Sequence, residues 1–434
     1  MRRNGLILEI ILIAFCMLIY SNFGVIFPLW LMALLLMIFT WKVYNYATAR
    51  IINFFVLFLI TLCGDTNYLM FYAVVDFIIV CVIVIRHNCK ISIKFEIASY
   101  WIVLTIIGII GGLLFACDKI SFHVGAEIYL LLSLLLLSSE FLYKRQKINF
   151  KAILWIICST NLGIIVLFFS KNSISELLVT ERALIYLLGD SGIRSNAIGG
   201  IIITFIVMLF YVKKSNLHIA NKITCYAIVV LDIVILAFLQ SRGSYVALAV
   251  VIIVSILEKI IIQKKLGLKE LRRSVGILIV AIILFALPSI QNILNNYIFV
   301  RFFSQSSDIS NGRFVLYNEA FDMWKLHPIV GNGFLQFFEF GIENADPHNF
   351  ILGYLASCGI LGTVALFAFL IKVLVPKYSL NWLCKPFRYA VLAQVIHGLF
   401  EPVLTTNLPL SLFLVTCILS IASKRTEYSK IWKN

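Results

Sequence analysis

Apolar residues in this chain come in long runs, such as Leu130–Leu137 and Ile277–Leu287, rather than at the spacing of a half-buried helix or strand. A run of about 20 apolar residues crosses a bilayer as a helix, because lipid offers the backbone no other hydrogen-bond partner. Reading the runs between polar breaks predicts spans near 5–21, 23–41, 47–64, 67–85, 97–117, 124–143, 150–170, 196–212, 222–239, 244–262, 274–290, 349–374, 387–401 and 407–423. The expectation is an all-α integral membrane protein. It is a polytopic bundle of about fourteen transmembrane helices, or 12–14 if the shorter runs are tilted or re-entrant.

Two polar stretches between spans exceed turn length: 171–195 and 291–348. Segments of that size tend to carry function, whereas the other connections are short. Within the second, Phe314, Tyr317, Phe321 and Trp324 recur at helical spacing, with Asn318, Glu319, Asp322 and Lys325 on the other face. That pattern predicts an amphipathic helix lying along the membrane surface and ended near Leu326 by Pro328. With no internal repeat or low-complexity linker, residues 1–434 read as a single membrane domain bearing a helical cap.

Composition agrees, at 62% hydrophobic and 13% charged residues, about half the charged share of a soluble domain. The formal net charge of +15 changes the picture only once it is placed on the spans. With the N-terminus inside, the outer side receives only Lys119, Lys171, Arg182, Arg194, Arg242, Arg301, Arg313 and Lys325 of the 36 Lys and Arg. The positive-inside rule then supports an even number of spans with both termini cytoplasmic, and the charge needs no nucleic acid to explain it. Met1-Arg2-Arg3 before an apolar run is similar to a signal peptide. Glu9 and the lack of a small-residue cleavage site favour a retained first helix. The cysteines fall mostly inside spans (Cys16, Cys81, Cys158, Cys225, Cys417) or on predicted cytoplasmic loops (Cys89, Cys384), without CxxC or Cys/His clusters. No structural disulfide, metal site or cofactor is expected.

On a cation-poor outer face the few cations are candidates for chemistry. Arg242, within Gln240-Ser241-Arg242-Gly243-Ser244, reads either as a polar turn residue reaching the headgroups or as a phosphate ligand. A guanidinium fork matches phosphate oxygens, and a helix opening there turns its first amides outward. Arg313 follows Asn311-Gly312 at the start of the cap helix. His348, in Asp346-Pro347-His348-Asn349, precedes an apolar helix and reads either as a capping residue or as a proton-exchanging group. His123, His327 and His397 are its outer-face rivals. Asp76, Glu127, Glu140 and Asp232 lie inside spans, where acids are costly and often line pathways. Glu9, Glu258 and Glu401, near span ends, call for no special account.

Taken in order, several motifs resemble the O-antigen ligase and polymerase family. They are Ser241-Arg242-Gly243, Asn311-Gly312-Arg313 with Trp324, His327-Pro328-Ile329-Val330-Gly331-Asn332-Gly333, and His348-Asn349 leading to Gly359-Ile360-Leu361-Gly362. Gly192-Ile193-Arg194-Ser195-Asn196 is similar to a turn that precedes a span in relatives. The resemblance covers roughly Gly192 to Gly362. An Arg-x10-Gly pattern known in some polymerases is missing, since neither Arg182 nor Arg194 has glycine at that spacing.

The resemblance implies a GT-C-like membrane glycosyltransferase of the bacterial cytoplasmic membrane. Its substrates would be an undecaprenyl-diphosphate-linked glycan donor and a glycan acceptor. His348, Arg313 and Arg242 would be catalytic, and Arg242, Arg313 and Arg194 would bind diphosphate. A polymerase of repeat units for surface polysaccharide is expected, working beside a chain-length regulator and a flippase. A ligase passing the finished glycan to another acceptor, or a non-enzymatic transporter of lipid-linked glycans, are the alternatives. A transporter would more often show repeated halves and short loops.

Overall fold

The computed structural model describes residues 46–62, 74, 76–78, 80–81, 97–143, 148–172, 195–210, 219–239, 241–261, 312–337, 346–375, 385–401 and 407–431. Among them all regular structure is helical. In chain order the helices are α1 (Tyr46–Leu62), α2 (Ala98–Phe115), α3 (Lys119–Tyr143), α4 (Phe150–Lys171), α5 (Ser195–Phe210), α6 (Ile219–Leu239) and α7 (Arg242–Ile261). They continue with α8 (Arg313–Leu326), α9 (Phe350–Leu374), α10 (Lys385–Gly398) and α11 (Asn407–Ile431). Four stretches within them are long and apolar enough to cross a bilayer: Ala98–Phe115, Lys119–Phe141, Ala152–Ser170 and Phe350–Leu374. The predicted spans near 5–21, 23–41 and 274–290, most of 67–85, and the loop from 173 to 194 lie outside the described residues. The full count of about fourteen lies outside them too.

Where predicted and observed helices coincide, two ends differ for local reasons. Helix α3 begins at Lys119 rather than near 124, because Asp118 accepts from the amides of Ile120 and Ser121, each at 2.9 Å, and so caps the first turn. The Ser121 hydroxyl and these two amides hold the Asp118 carboxyl below its usual range. Helix α11 runs to Ile431, past the predicted end near 423.

Helices α2, α3 and α9 pack together, with α8 laid on α9; α5, α6, α7 and α10 form a second group. Helix α11 touches α10, α3 and α1, joining the two. The buried core is mainly aliphatic and aromatic, with Trp101 stacked on Tyr129 and tilted against Phe369. Polar links sit between helices inside it. Asn161 of α4 donates to Asp232 of α6 at 2.6 Å. Arg50 of α1 pairs with Asp76 and donates to Ser138 and Ser139 of α3. Lys385, Arg388 and Tyr389 of α10 converge on Glu258 of α7.

The cap helix forms over the predicted residues but turns a different face inward. Leu316 is buried, and Ala320 and Met323 are buried against Phe337 and Ala356, whereas Phe314 is 67% exposed and Phe321 42%. The aromatic period is therefore not the packing period. After α8 the chain locks onto its neighbours through the segment His327–Phe337. Asn332 donates through its amide side chain to Met323 O at 2.8 Å and Ala356 O at 3.1 Å, tying α8 to α9. Gln336 exchanges two hydrogen bonds of 3.0 Å with the backbone of Asp118.

Helix α9 is interrupted at Gly359, whose φ of 63° and ψ of −167° are not helical. The freed amides of Ile360 and Leu361 donate to Pro328 O and Ile329 O, while Asn332 and Gly333 amides donate to Ala356 O and Ser357 O. A β-carbon on residue 359 would meet Ile329 O at 2.3 Å, so both the φ and the space demand glycine.

Candidate active site

One end of the bundle gathers the starts of α5, α7, α8 and α9 and the last turn of α10. Each start is where sequence places a polar break before an apolar run, so polar side chains collect there by construction. Those of α5, α8 and α9 share one partner, Glu401, which follows α10 and is 4% exposed, its amide donating to His397 O at 3.1 Å.

Three side chains from distant parts of the chain converge on this carboxylate. Arg313, the first residue of α8, donates an Nη2 hydrogen to Oε1 at 2.7 Å. Asn196, in the first turn of α5, donates Nδ2 to the same oxygen at 2.6 Å. His348 places Nδ1 3.1 Å from Oε2. A carboxylate only accepts, so the His348 proton sits on Nδ1, and a neutral ring then presents the Nε2 lone pair elsewhere. That is the arrangement of a general base oriented by an acid.

The backbone holds His348 in place against its own preference. Its φ is 49°, in the left-handed region that non-glycine residues seldom adopt. Pro347 restricts the residue before it, and Asn349 after it caps α9, its Oδ1 accepting from Ile351 and Leu352 amides at 3.0 and 3.3 Å. His348, between them, turns its ring to Glu401 at the end of α10. Arg313 is placed by Gly312, also left-handed at φ 79°. The Glu401 bond uses one of five guanidinium hydrogens, and the side chain is 28% exposed.

Arg242 begins α7 and is half-buried at the same end. The helix start is pressed into its neighbours. Ser244 donates to Ser241 at 2.9 Å, and both abut Gly199, one turn along from Asn196. Gly243 lies against His397 and Phe400, the turn that leads to Glu401.

Of the residues proposed from sequence, Arg313 and His348 share a carboxylate and Arg242 stands beside the same turn; Arg194 lies outside the described residues. The rival histidines are elsewhere or otherwise engaged. His123 is exposed on α3 and donates to Lys119 O. His327, at the far end of α8, stacks on Phe115 with ring centroids 3.7 Å apart. His397 is fully buried near Glu401.

Sequence reading dismissed Glu401 as a span-end acid, and the structure corrects that. It also treated Asn196 only as part of a turn. One signal was available for Glu401. It is an acid at a span end on the predicted outer side, level with Arg313 and His348, where few charges occur at all.

Residues 227–367 match the model of a family described as O-antigen ligase. This supports membership of the O-antigen ligase and polymerase family, over a stretch that includes Arg242, Arg313 and His348. No curated protein matches the chain.

Proposed function

We propose that this chain is a polymerase of lipid-linked oligosaccharide repeat units for surface polysaccharide, acting on the outer face of the bacterial cytoplasmic membrane. The donor is a glycan attached through its anomeric carbon to undecaprenyl diphosphate. The observation that carries the reading is the Glu401 carboxylate shared by His348 Nδ1 and Arg313.

In the reaction, the acceptor sugar hydroxyl gives its proton to His348 Nε2 and its oxygen bonds to the anomeric carbon. The bond from that carbon to the phosphate oxygen breaks, and its electron pair leaves on the lipid diphosphate. Direct attack inverts the anomeric configuration. Glu401 keeps the ring in the tautomer with Nε2 free and stabilises the imidazolium that forms. Negative charge grows on the leaving oxygens, where Arg313 and Arg242 lower the barrier as fixed cations. Arg194 is the third diphosphate ligand of this proposal. The polyprenyl tail lies among the apolar helix faces. A chain-length regulator and a flippase are the expected partners.

The description of the matched family favours a second reading, in which the finished glycan is transferred to another acceptor. Gel analysis of surface glycan after deletion separates them. Loss of the ladder with one repeat unit retained supports the polymerase; carrier-bound polymer without transfer supports the ligase. In a complemented deletion strain, Arg313→Ala and His348→Ala should insert normally and fail to restore polymer. Normal polymer from both variants would overturn the glycosyl-transfer reading.

A further inference from the structure

His397 sits in the last turn of α10, one turn before Glu401, with no exposed surface. Neither ring nitrogen has a hydrogen-bond partner among the described residues. A neutral imidazole carries one donor and one acceptor, and leaving both unmet inside a protein is as costly as losing hydrogen bonds outright. A core position of this size is more stably filled by an apolar ring. The polar one calls for an occupant that its nitrogens meet at some point in the protein's work.

The surroundings say what that occupant is. The Cδ2–Nε2 edge lies against Gly243, where a β-carbon would stand 3.4 Å from Cδ2 and 3.6 Å from Nε2. Gly243 is the second residue of α7 and follows Arg242 directly. The first amides of a helix have no intrahelical acceptor, and the helix dipole makes that end positive. Glu401, paired with Arg313, follows one turn later, its amide donating to His397 O. A helix start that opens with an arginine, and an imidazole edge with no hydrogen-bond partner among the described residues, are together suited to an anion with several acceptor oxygens.

We propose that His397 is a substrate-binding residue whose Nε2–H donates to a phosphate oxygen of the lipid diphosphate, beside Arg242 and the start of α7. This rests on the glycosyl-transfer reading for the identity of the ligand, though the binding chemistry stands on its own. The partners that the described residues do not supply are then the counterpart of a contact made only when the headgroup arrives.

The test uses the full chain in lipid nanodiscs, with undecaprenyl diphosphate and inorganic pyrophosphate as separate probes. Thermal unfolding is followed with and without each probe, since a ligand that binds the folded state raises the midpoint. His397→Phe keeps the ring shape and removes both nitrogens; His397→Leu repeats the test with a smaller side chain. Both should unfold at a higher temperature than wild type when no probe is present. Both should bind undecaprenyl diphosphate about tenfold more weakly, the scale of one hydrogen bond to a charged group. Equal weakening for inorganic pyrophosphate assigns the contact to the diphosphate itself, and weakening for the lipid form alone assigns it to a headgroup positioned by its tail.

Raised or lowered midpoints with wild-type affinity for both probes would make His397 an ordinary core residue and overturn the proposal. If His397→Gln, which retains a donor, binds as weakly as the Phe variant, the hydrogen bond is likewise refuted. The two readings fail separately. Normal polymer from Arg313→Ala and His348→Ala with weakened diphosphate binding in His397→Phe removes the enzyme and keeps the site.

Discussion

Glu401 holds Arg313 and Asn196 on one oxygen and His348 on the other, so variants there divide its roles. Glu401→Gln keeps the shape and an acceptor for His348 but removes the charge that stabilises the imidazolium. It should lower turnover on the order of a hundredfold, the low end of what an oriented base contributes, while the protein still inserts. Glu401→Ala should be at least as severe and should also release Arg313 and Asn196. Turnover assays on a purified lipid-linked repeat unit check both, and wild-type rates for Glu401→Gln would remove the orienting role. Arg313→Lys should fail nearly as fully as Arg313→Ala, because an ammonium cannot serve the carboxylate and the diphosphate together as a planar fork does. His348, Arg313 and Arg242 were legible in the sequence because each stands in a recognisable local setting at a helix start. Glu401 was less so, because only its place on the predicted outer side marks it. Its importance comes from three segments meeting it, and a single chain read in order does not display convergence.

The cap helix shows how far periodicity reaches at the level of elements. Its ends at Arg313 and Leu326 followed from the aromatic spacing and from Pro328. Its packing face did not, because beside a membrane an apolar side chain has two places to go, protein or lipid. Phe314 and Phe321 took the outer one, and small Ala320 allows the close approach to α9. Helix α9 depends on a conformation that the hydropathy pattern hides. Gly359→Ala should lower the unfolding temperature and impair activity, since the β-carbon strikes Ile329 O and the break that receives Pro328 and Ile329 closes. Asn332→Ala, which loses two hydrogen bonds between α8 and α9, should cost about 1–3 kcal/mol and can be read by thermal unfolding. Glu258, at the other end of the α7–α10 pair, meets both Lys385 and Arg388. Glu258→Ala strands the buried Arg388 beside Lys385 and should destabilise by about 3–5 kcal/mol. Asp232→Asn should be mild by contrast. An amide there offers Asn161 Oδ1, an unpartnered acceptor, the donor it lacks. Strong loss of polymer in Asp232→Asn would instead return the intramembrane acid to the transport reading.

Across the whole molecule, the alternation of charges from loop to loop assigns Arg242, Arg313 and His348 to one side, and the helix ends bring them to one end. Cysteines introduced at Val315 or Phe314 should react with a membrane-impermeant maleimide added to intact cells. A cysteine at Lys385 should react only after permeabilisation, and the reverse pattern would invert the topology. The same geometry limits what any one segment can do. The stretch recognisable by likeness ends at 367 and begins at 227, yet Asn196 precedes it and Glu401 follows it. A chimera that transplants residues 227–367 into a distant relative would carry Arg242, Arg313 and His348, and would leave behind Glu401, which Arg313 and His348 both meet. Such a graft should stay silent until its host supplies a carboxylate at the end of the helix matching α10, so the inherited unit is the pairing of two regions rather than either region alone.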